Sequence, residues 1–462
     1  MIKNHNANNK EFIRAIQSKK LYCYGAGKVY QDFRKVYSEV SLQAVIDKNM
    51  SAKGIAKTMD GVPVISIDNF IAMCDDTSVL LITCFDYQEI EKELEEIEEL
   101  QKLPCYVYFL IQGRFGIADT DENSNKYQIA EFKLQDYCAG QKAPADVAVI
   151  AAKAGYKVLT VNRGTHRFGL AQTQSEWQRI ADTLPDGATV LIQLPLVDTT
   201  GSIKELYKIK EKKHIKIIAV VHDIDMLRGD MGEYHKEQYK LTKAIADVWI
   251  VHNDRMIQKL SGMGFPREKM VSLGIFDYLA ELEQEILYDD GIIIAGNLDR
   301  QKSAYIYKLN QIGQLQFNLF GTNYITPEID DNMHYYGAFM PDDLLANLRG
   351  RYGLVWDGDS IETCSGAKGE YLRYNNPHKL SLYLAVGLPV IIWSEAAEAD
   401  FVLQENVGIV VDSLKELPNK LAEIGDIRYN EMKACARRIS RRLRNGDFLL
   451  DAINQAEERL NR

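Results

Sequence analysis

Short apolar runs alternate with amphipathic helical stretches along nearly the whole of this 462-residue chain. A strand followed by a helix that covers its face, repeated, is the pattern of an α/β protein with mostly parallel sheets. Asn375 to Trp393 shows the unit in full, reading as loop, helix, turn and strand. Asn376 suits the N-cap, and Pro377 suits the first helical position, where an N–H would be unpaired anyway. Leu380, Tyr383 and Leu384 share one face. Gly387 can take the left-handed stop, Pro389 blocks continuation, and Val390-Ile391-Ile392 reads as a buried strand. A helix begun in this way directs free N–H groups and a partial positive charge outward, and Lys379 adds a full charge. That combination suits an anion, phosphate above all.

Three blocks and a tail follow from the pattern. Residues 1–118 read as a Rossmann-like N-terminal domain, with strands at Leu21–Tyr24, Ala44–Ile46, Val79–Thr83 and Cys105–Ile111. A helix there carries Ile90, Leu94 and Ile97 on one face and a row of glutamates on the solvated side. The polar stretch Asp119–Asn125 reads as a linker. Residues 127–288 form a second domain, opening with a strand at Glu131–Tyr137 and the small-residue turn Cys138-Ala139-Gly140. Its further strands fit Lys157–Val161, Thr189–Gln193, Ile215–Val221 and Val248–Val251. Residues 289–445 form a third, with strands at Gly291–Ala295, Phe317–Phe320, Gly353–Trp356, Pro389–Trp393 and Gly408–Val411. Residues 446–462 close the chain as a helix.

A net charge of −10 argues against nucleic acid as the main partner, since phosphate backbones need a basic face. It leaves room for a local basic pocket. The seven cysteines are scattered and include no C-x-x-C pair, which argues against a zinc site or a disulfide framework and for a reducing cytoplasm. No leader is visible at the start, and no apolar run reaches the ~18 residues of a membrane span. The expected location is cytoplasmic, at the inner face of the membrane if the substrate is lipid-linked.

Several motifs bear on chemistry. Gly25-x-Gly27 follows a strand, with Asp47 about 20 residues on, as in a dinucleotide fingerprint. Tyr30 stands where the third glycine belongs. Both a bound nucleotide, with Asp47 on its ribose, and a purely structural turn remain open. Gly296-Asn297-Leu298-Asp299-Arg300 follows a strand and should open a helix; Gly296 lets a ligand approach, and Arg300 offers a planar fork for phosphate. Loops at the carboxyl ends of neighbouring strands converge on one crevice, which would bring this turn to Lys379. His222 and Asp223 end a hydrophobic strand, where either could take a proton from an acceptor hydroxyl, or Asp223 could cap the next helix. Asp223-x-Asp225 and Asp357-x-Asp359 match a short metal–diphosphate pattern, which chance supplies readily in an acidic chain. The polar loop Trp356–Tyr371 faces either a ligand or solvent. Gln193-Leu194-Pro195 fits an acceptor wall or a turn. The basic loop with Arg163, His166 and Arg167 favours an anionic acceptor or is simply solvated.

Taken together, Gly353–Trp356, Tyr374–Ile391, Ile218–Asp223 and Ala295–Arg300 resemble, in order, a family of bacterial sugar-nucleotide glycosyltransferases. That family contains galactofuranosyltransferases and the glucosyltransferases of serine-rich streptococcal adhesins. The resemblance spans roughly residues 130–445. It implies a GT-B fold, a pair of Rossmann-like domains with a cleft between them, here preceded by a third Rossmann-like domain. It also implies that uridine diphosphate is held by Arg300 and by the loop–helix from Asn376 through Pro377, His378, Lys379 and Leu380. The loop Cys138–Ala143 would face the site from the other side. The two glutamates seven residues apart that many retaining GT-B enzymes carry are absent from Ser381–Glu395, so stereochemistry is not assigned. The N-terminal block resembles the Rossmann-like domains of sugar-nucleotide epimerases and acyltransferases.

The expectation is therefore a glycosyltransferase that moves a hexose (galactofuranose, galactose or glucose) from a UDP-sugar to a hydroxyl of a bacterial surface glycan or glycoprotein. Gly296, Asn297, Arg300 and Asn376 to Leu380 would bind the donor, Asp223 or His222 would accept the proton, and no metal is required. The partners are the nucleotide sugar and a glycan acceptor; a homo-oligomer is left open. The rival is an NAD-dependent sugar-nucleotide oxidoreductase or epimerase working through Gly25, Gly27 and Asp47. A catalytically inactive partner of another transferase is the third reading.

Overall fold

The structure is a computed structural model that describes all residues except 6, 8, 50–57, 112–123, 133–141, 163–169, 197–198, 230–232, 282–288, 314 and 326–331. Among the described residues the strands form three sheets, with Rossmann-like layers that match the α/β expectation. The first contains β1 (Ile2–Lys3), β2 (Lys20–Tyr24), β3 (Ala44–Ile46), β4 (Thr58–Met59), β5 (Val62–Ile65), β6 (Ser78–Ile82) and β7 (Pro104–Val107). Its order is β1-β7-β6-β2-β3-β5-β4, parallel apart from the β4–β5 pair. The second contains β8 (Lys126–Phe132), β9 (Lys157–Asn162), β10 (Thr189–Leu194), β11 (Lys216–Val221), β12 (Val248–Val251) and β13 (Met270–Ser272), in the order β13-β12-β11-β10-β8-β9. The third contains β14 (Ile292–Asn297), β15 (Phe317–Thr322), β16 (Met333–Gly337), β17 (Tyr352–Val355), β18 (Val390–Trp393) and β19 (Gly408–Val411), in the order β16-β15-β14-β17-β18-β19. The second and third sheets are the GT-B pair, and the first is the additional Rossmann-like layer.

The chain divides into two compact units: Met1–Gln135 with Gly155–Val190 and Leu196–Ile215, and Asp136–Ala154 with Leu191–Pro195 and Lys216–Arg462. In the first unit the Tyr87 hydroxyl donates to Glu176 at 2.8 Å, and Arg179 Nε approaches the same carboxylate oxygen at 3.1 Å. Glu176 is fully buried, so its carboxylate is offset by the Arg179 guanidinium and by hydrogen bonding rather than by water. The N-terminal sheet is thereby keyed onto the helix Leu170–Thr183.

In the second unit the third sheet builds the floor of a crevice. Strand order reverses about β14, with β15 on one side and β17 on the other, so the carboxyl ends of β14 and β17 diverge and leave a ligand-sized gap. The helix His378–Ala385 lies against β17 because Gly353 has no side chain; a Cβ there would meet the Tyr383 ring at 2.1 Å. The Tyr383 hydroxyl then accepts the Ala295 N–H at 2.8 Å, and Ser381 Oγ donates to Phe276 O at 2.6 Å. The first bond ties the helix to β14, and the second ties it to the segment that follows β13. Gly321 is as constrained: its φ is +146°, and a Cβ would lie 1.7 Å from Gly296 O. Gly321→Ala should cost about 2–4 kcal/mol through the backbone shift it forces. A urea titration of the variant would show this as a lower midpoint with unchanged slope.

Several local expectations are corrected. The helix starts at His378 with Pro377 as its cap, one residue later than expected, because Asn376 is used elsewhere: its N–H donates to His252 Nδ1 at 2.8 Å and its Nδ2 to Gly274 O at 3.1 Å. Gly296-Asn297 does not open a helix. It ends β14, and a turn leads to a 3-10 helix at Ala304–Ile312. Of the strand expected at Glu131–Tyr137, only Glu131 and Phe132 lie among the described residues; they end β8, which begins at Lys126. β7 stops at Val107, and Tyr108–Leu110 turns into 3-10 helix. The helix bearing Ile90 and Leu94 ends at Glu95, before Ile97. The polar loop after Trp356 contains a helix, Gly366–Tyr371. The closing helix expected over 446–462 is Asp447–Leu460, and a further helix, Asp426–Asn445, precedes it across Gly446 with φ +86°. The linker residues 119–123, the turn 138–140 and the basic residues Arg163, His166 and Arg167 lie outside the described residues. No helix among the described residues is long and apolar enough to cross a membrane.

Candidate active site

The crevice at the carboxyl edge of the third sheet is a cavity of about 500 Å³. Its wall includes Gly296, Asn297, Pro377, His378, Lys379 and Asp223, which the sequence reading singled out. It also includes Lys142, from the loop Cys138–Ala143 expected to face the site, and Asp357, from the second D-x-D pattern, together with Arg228, Lys302, Lys368, Tyr278 and Asn375, which that reading did not single out as donor-binding residues. Five cations and two carboxylates therefore share one pocket in a chain that is acidic as a whole.

The charges are not equivalent. Lys379 Nζ donates to Asp357 Oδ1 at 2.8 Å and to Trp356 O at 2.9 Å, so two of its three N–H donors are spent and one is left. Arg228 pairs with Asp223 at 3.0 Å. Lys142 is held by Asp146 and by Leu279 O, both at 2.6 Å. Lys302 and Lys368 make no ion pair or side-chain hydrogen bond among the described residues. Burial pulls the Lys302 pKa below the usual lysine value; Asp357 opposes this, and the ammoniums of Lys379 and Lys368 add to it. An unpaired, largely desolvated ammonium gains most from an anion placed beside it.

Arg300, Asn376 and Leu380 are not brought to this wall. The Arg300 guanidinium lies over the Tyr307 ring, 5.4 Å from its centroid, on an exposed turn. Lys302, two residues on, is the cation of that turn that faces the cavity. Leu380 is fully buried in the core, as the amphipathic face requires. His222 is also turned away from the cavity: its ring stacks on Phe276 at 5.4 Å, and its Nε2 donates to Gln193 Oε1 at 2.7 Å. Gln193 Nε2 donates to Pro144 O, which fixes the amide with its oxygen toward His222. Gln193 is thus an orienting group for His222. Burial, with His252 and His378 nearby, lowers the His222 pKa to about 3. Asp223 does line the cavity, and burial raises its carboxyl above the usual value against the pull of Arg228.

Three of the four aspartates of the D-x-D patterns have cationic neighbours: Asp223 and Asp225 face Arg228, and Asp357 faces Lys379. Among the described residues no group of three or more His, Cys, Asp or Glu is placed to hold a metal. In the N-terminal loop, Asp47 Oδ2 accepts the Ala26 N–H at 3.1 Å, the kind of amide a nucleotide phosphate would need. A Cβ at Gly25 would strike Cys84 Sγ at 2.0 Å, and Tyr30 is buried in the core. Gly25 and Asp47 thus have a structural account, and nothing approaches the position of a Cβ at Gly27 within 4 Å.

Residues 126–275 match the family model described as glucosyltransferase 3-like, N-terminal domain, and residues 292–456 match its C-terminal counterpart. The β-1,6-galactofuranosyltransferase WbbI of Escherichia coli (strain K12) is 40% identical over 248 residues, 52% of this chain and 71% of that protein. The chain belongs to the glucosyltransferase 3-like family of glycosyltransferases. Within that family, glucosyltransferase 3 of Streptococcus parasanguinis is 24% identical over 324 residues, 67% of this chain and 92% of the relative. A solved glycosyltransferase of Rickettsia africae ESF-5 aligns with 73% of this chain and 99% of its own, at 12% identity and a TM-score of 0.49. The N-terminal sheet, before residue 126, lies outside both family matches.

Proposed function

We propose that this glycosyltransferase moves a hexose (galactofuranose, galactose or glucose) from a UDP-sugar to a hydroxyl of a bacterial surface glycan or glycoprotein. Residues 127–288 serve as the acceptor-side domain and residues 289–445 as the nucleotide-sugar domain. The observation that carries the reading is the pair of unpaired cations, Lys302 and Lys368, lining a crevice that also receives the start of the helix His378–Ala385. The activities of the relatives, galactofuranosyl and glucosyl transfer, support the sugar class.

The mechanism follows from where charge develops. As the glycosidic bond to phosphate breaks, the departing diphosphate gains negative charge. Lys302, Lys368, Lys379 and the start of the helix line the cavity in which it would sit, and their positive charge would offset it. Arg228 sits beside Asp223, so the two can trade partners as the diphosphate arrives. Asp223 takes the proton of the acceptor hydroxyl; its raised pKa brings it closer to the working pH of a general base. Cations and the helix end do here what a divalent ion would otherwise do.

The test is calorimetric titration with UDP, followed by donor turnover. The chain should bind UDP, and Asp223→Asn should leave that affinity within about threefold while lowering kcat by roughly 10²–10⁴. Absence of UDP binding, or an unchanged kcat in Asp223→Asn, would sink the assignment. An NAD titration bears on the rival, which requires tight binding abolished by Asp47→Ala.

A further inference from the structure

Two residues of the cavity wall each carry one buried polar atom that the described residues leave unpartnered. The Nε2 of His378 and the Oδ1 of Asn375 are buried and have no hydrogen-bond partner among the described residues, and both residues line the cavity. A buried polar group left unpaired costs about 1–3 kcal/mol, so native chains keep few of them. The His378 ring is held between Tyr278, with centroids 5.4 Å apart, and Phe276, at 6.0 Å, so its direction is set by packing.

Resting on the UDP-sugar reading above, we propose that Asn375 and His378 read hydroxyl groups of the transferred sugar and so set which hexose the enzyme accepts. The chemistry separates this pair from the diphosphate clamp. Lys302, Lys368 and Lys379 carry charge; Asn375 carries none. His378 is kept neutral, its pKa lowered to about 4 by burial and by Lys142. The unpartnered imidazole nitrogen donates or accepts according to tautomer, and the unpartnered amide oxygen of Asn375 accepts. That set matches hydroxyls, which donate and accept, and matches poorly a phosphate, which only accepts. Epimeric hexoses differ in the direction of a single hydroxyl. A wall built to bond one direction leaves its own buried atoms unpaired when the other arrives, which is how large discrimination arises.

The experiment compares wild type with Asn375→Ala, His378→Phe and His378→Gln, each first shown by its melting curve to be folded. Affinities for UDP, UDP-glucose, UDP-galactose and UDP-galactofuranose are measured by calorimetry. The ratio between the best UDP-hexose and UDP should fall at least tenfold in Asn375→Ala and His378→Phe, with UDP itself changed less than about twofold. His378→Gln, which restores an amide, should recover part of the ratio. Equal losses for UDP and UDP-hexose, or an unchanged ratio, would overturn this proposal while leaving the UDP reading intact. A wild-type chain that binds no UDP overturns that reading and this one with it.

Discussion

Lys302→Ala should lower kcat/KM by roughly 10²–10³, while Arg300→Ala should lower it by less than about threefold. The contrast rests on where the two cations point. Both lie in one turn after β14, and the family resemblance favours the arginine. Yet the Arg300 guanidinium is stacked on Tyr307 in an exposed position, where a charge is screened by water and salt. Lys302 lines the cavity without an ion pair and with its pKa lowered by burial. A hydrogen bond from such a group to phosphate is charge-assisted and desolvated, and its loss in a transition state that gathers negative charge is the most costly kind. Lys302→Arg keeps the charge but changes the reach, and should recover only part of the rate. Steady-state kinetics with a saturating acceptor would check the order. Arg300→Ala proving more damaging than Lys302→Ala would refute the geometry.

That contrast also marks how far the residues could be read without the fold. The sheets were legible because each strand is an apolar run bounded by turn residues, and buried parallel strands need nothing subtler. The helix His378–Ala385 was legible because Pro377 and the Gly387 stop act locally; Gly387 does take a φ of +74°. Strands such as Met270–Ser272 and Met333–Gly337 were missed because they are short or polar and owe their conformation to a neighbour. Lys302 was missed for another reason. Residues two apart on an irregular turn point in different directions, and only the packed 3-10 helix that follows decides which one enters the cavity. His222, His252 and His378 are far apart in sequence and gather around Phe276. No periodicity links them, so neither their neutrality nor the diversion of Asn376 onto His252 could be read from the sequence.

That histidine cluster, with two buried acids, should give the folded chain maximum stability near pH 6.5 and loss on both sides. Burial lowers His222 to about 3, and His252 and His378 to about 4, from an ordinary value of 6.5. His252 shows why it resists a proton: its Nδ1 already accepts the Asn376 N–H, and its Nε2–H donates to His222 O at 3.0 Å. Burial raises Asp277 to about 7 against the N–H groups of Leu449 and Phe448, and Glu398 to about 8 against Asn253. Below pH 6.5 the unfolded chain gains protons on three histidines that the folded chain refuses, while the folded chain holds two carboxyl protons that the unfolded chain has lost. The unfolded state is ahead by one proton, so stability falls with decreasing pH by about 1.4 kcal/mol per unit down to about pH 4.5. Above pH 6.5 the histidines are neutral in both states. Only the folded state still holds the carboxyl protons, and stability falls with rising pH by at most about 2.7 kcal/mol per unit until both acids ionise. Glu398→Gln separates the contributions: it should roughly halve the alkaline slope and double the acid one. Urea midpoints from pH 4.5 to 8.5 for both chains would show this, and a stability that rises steadily from pH 6.5 to 8 in the wild type would rule it out.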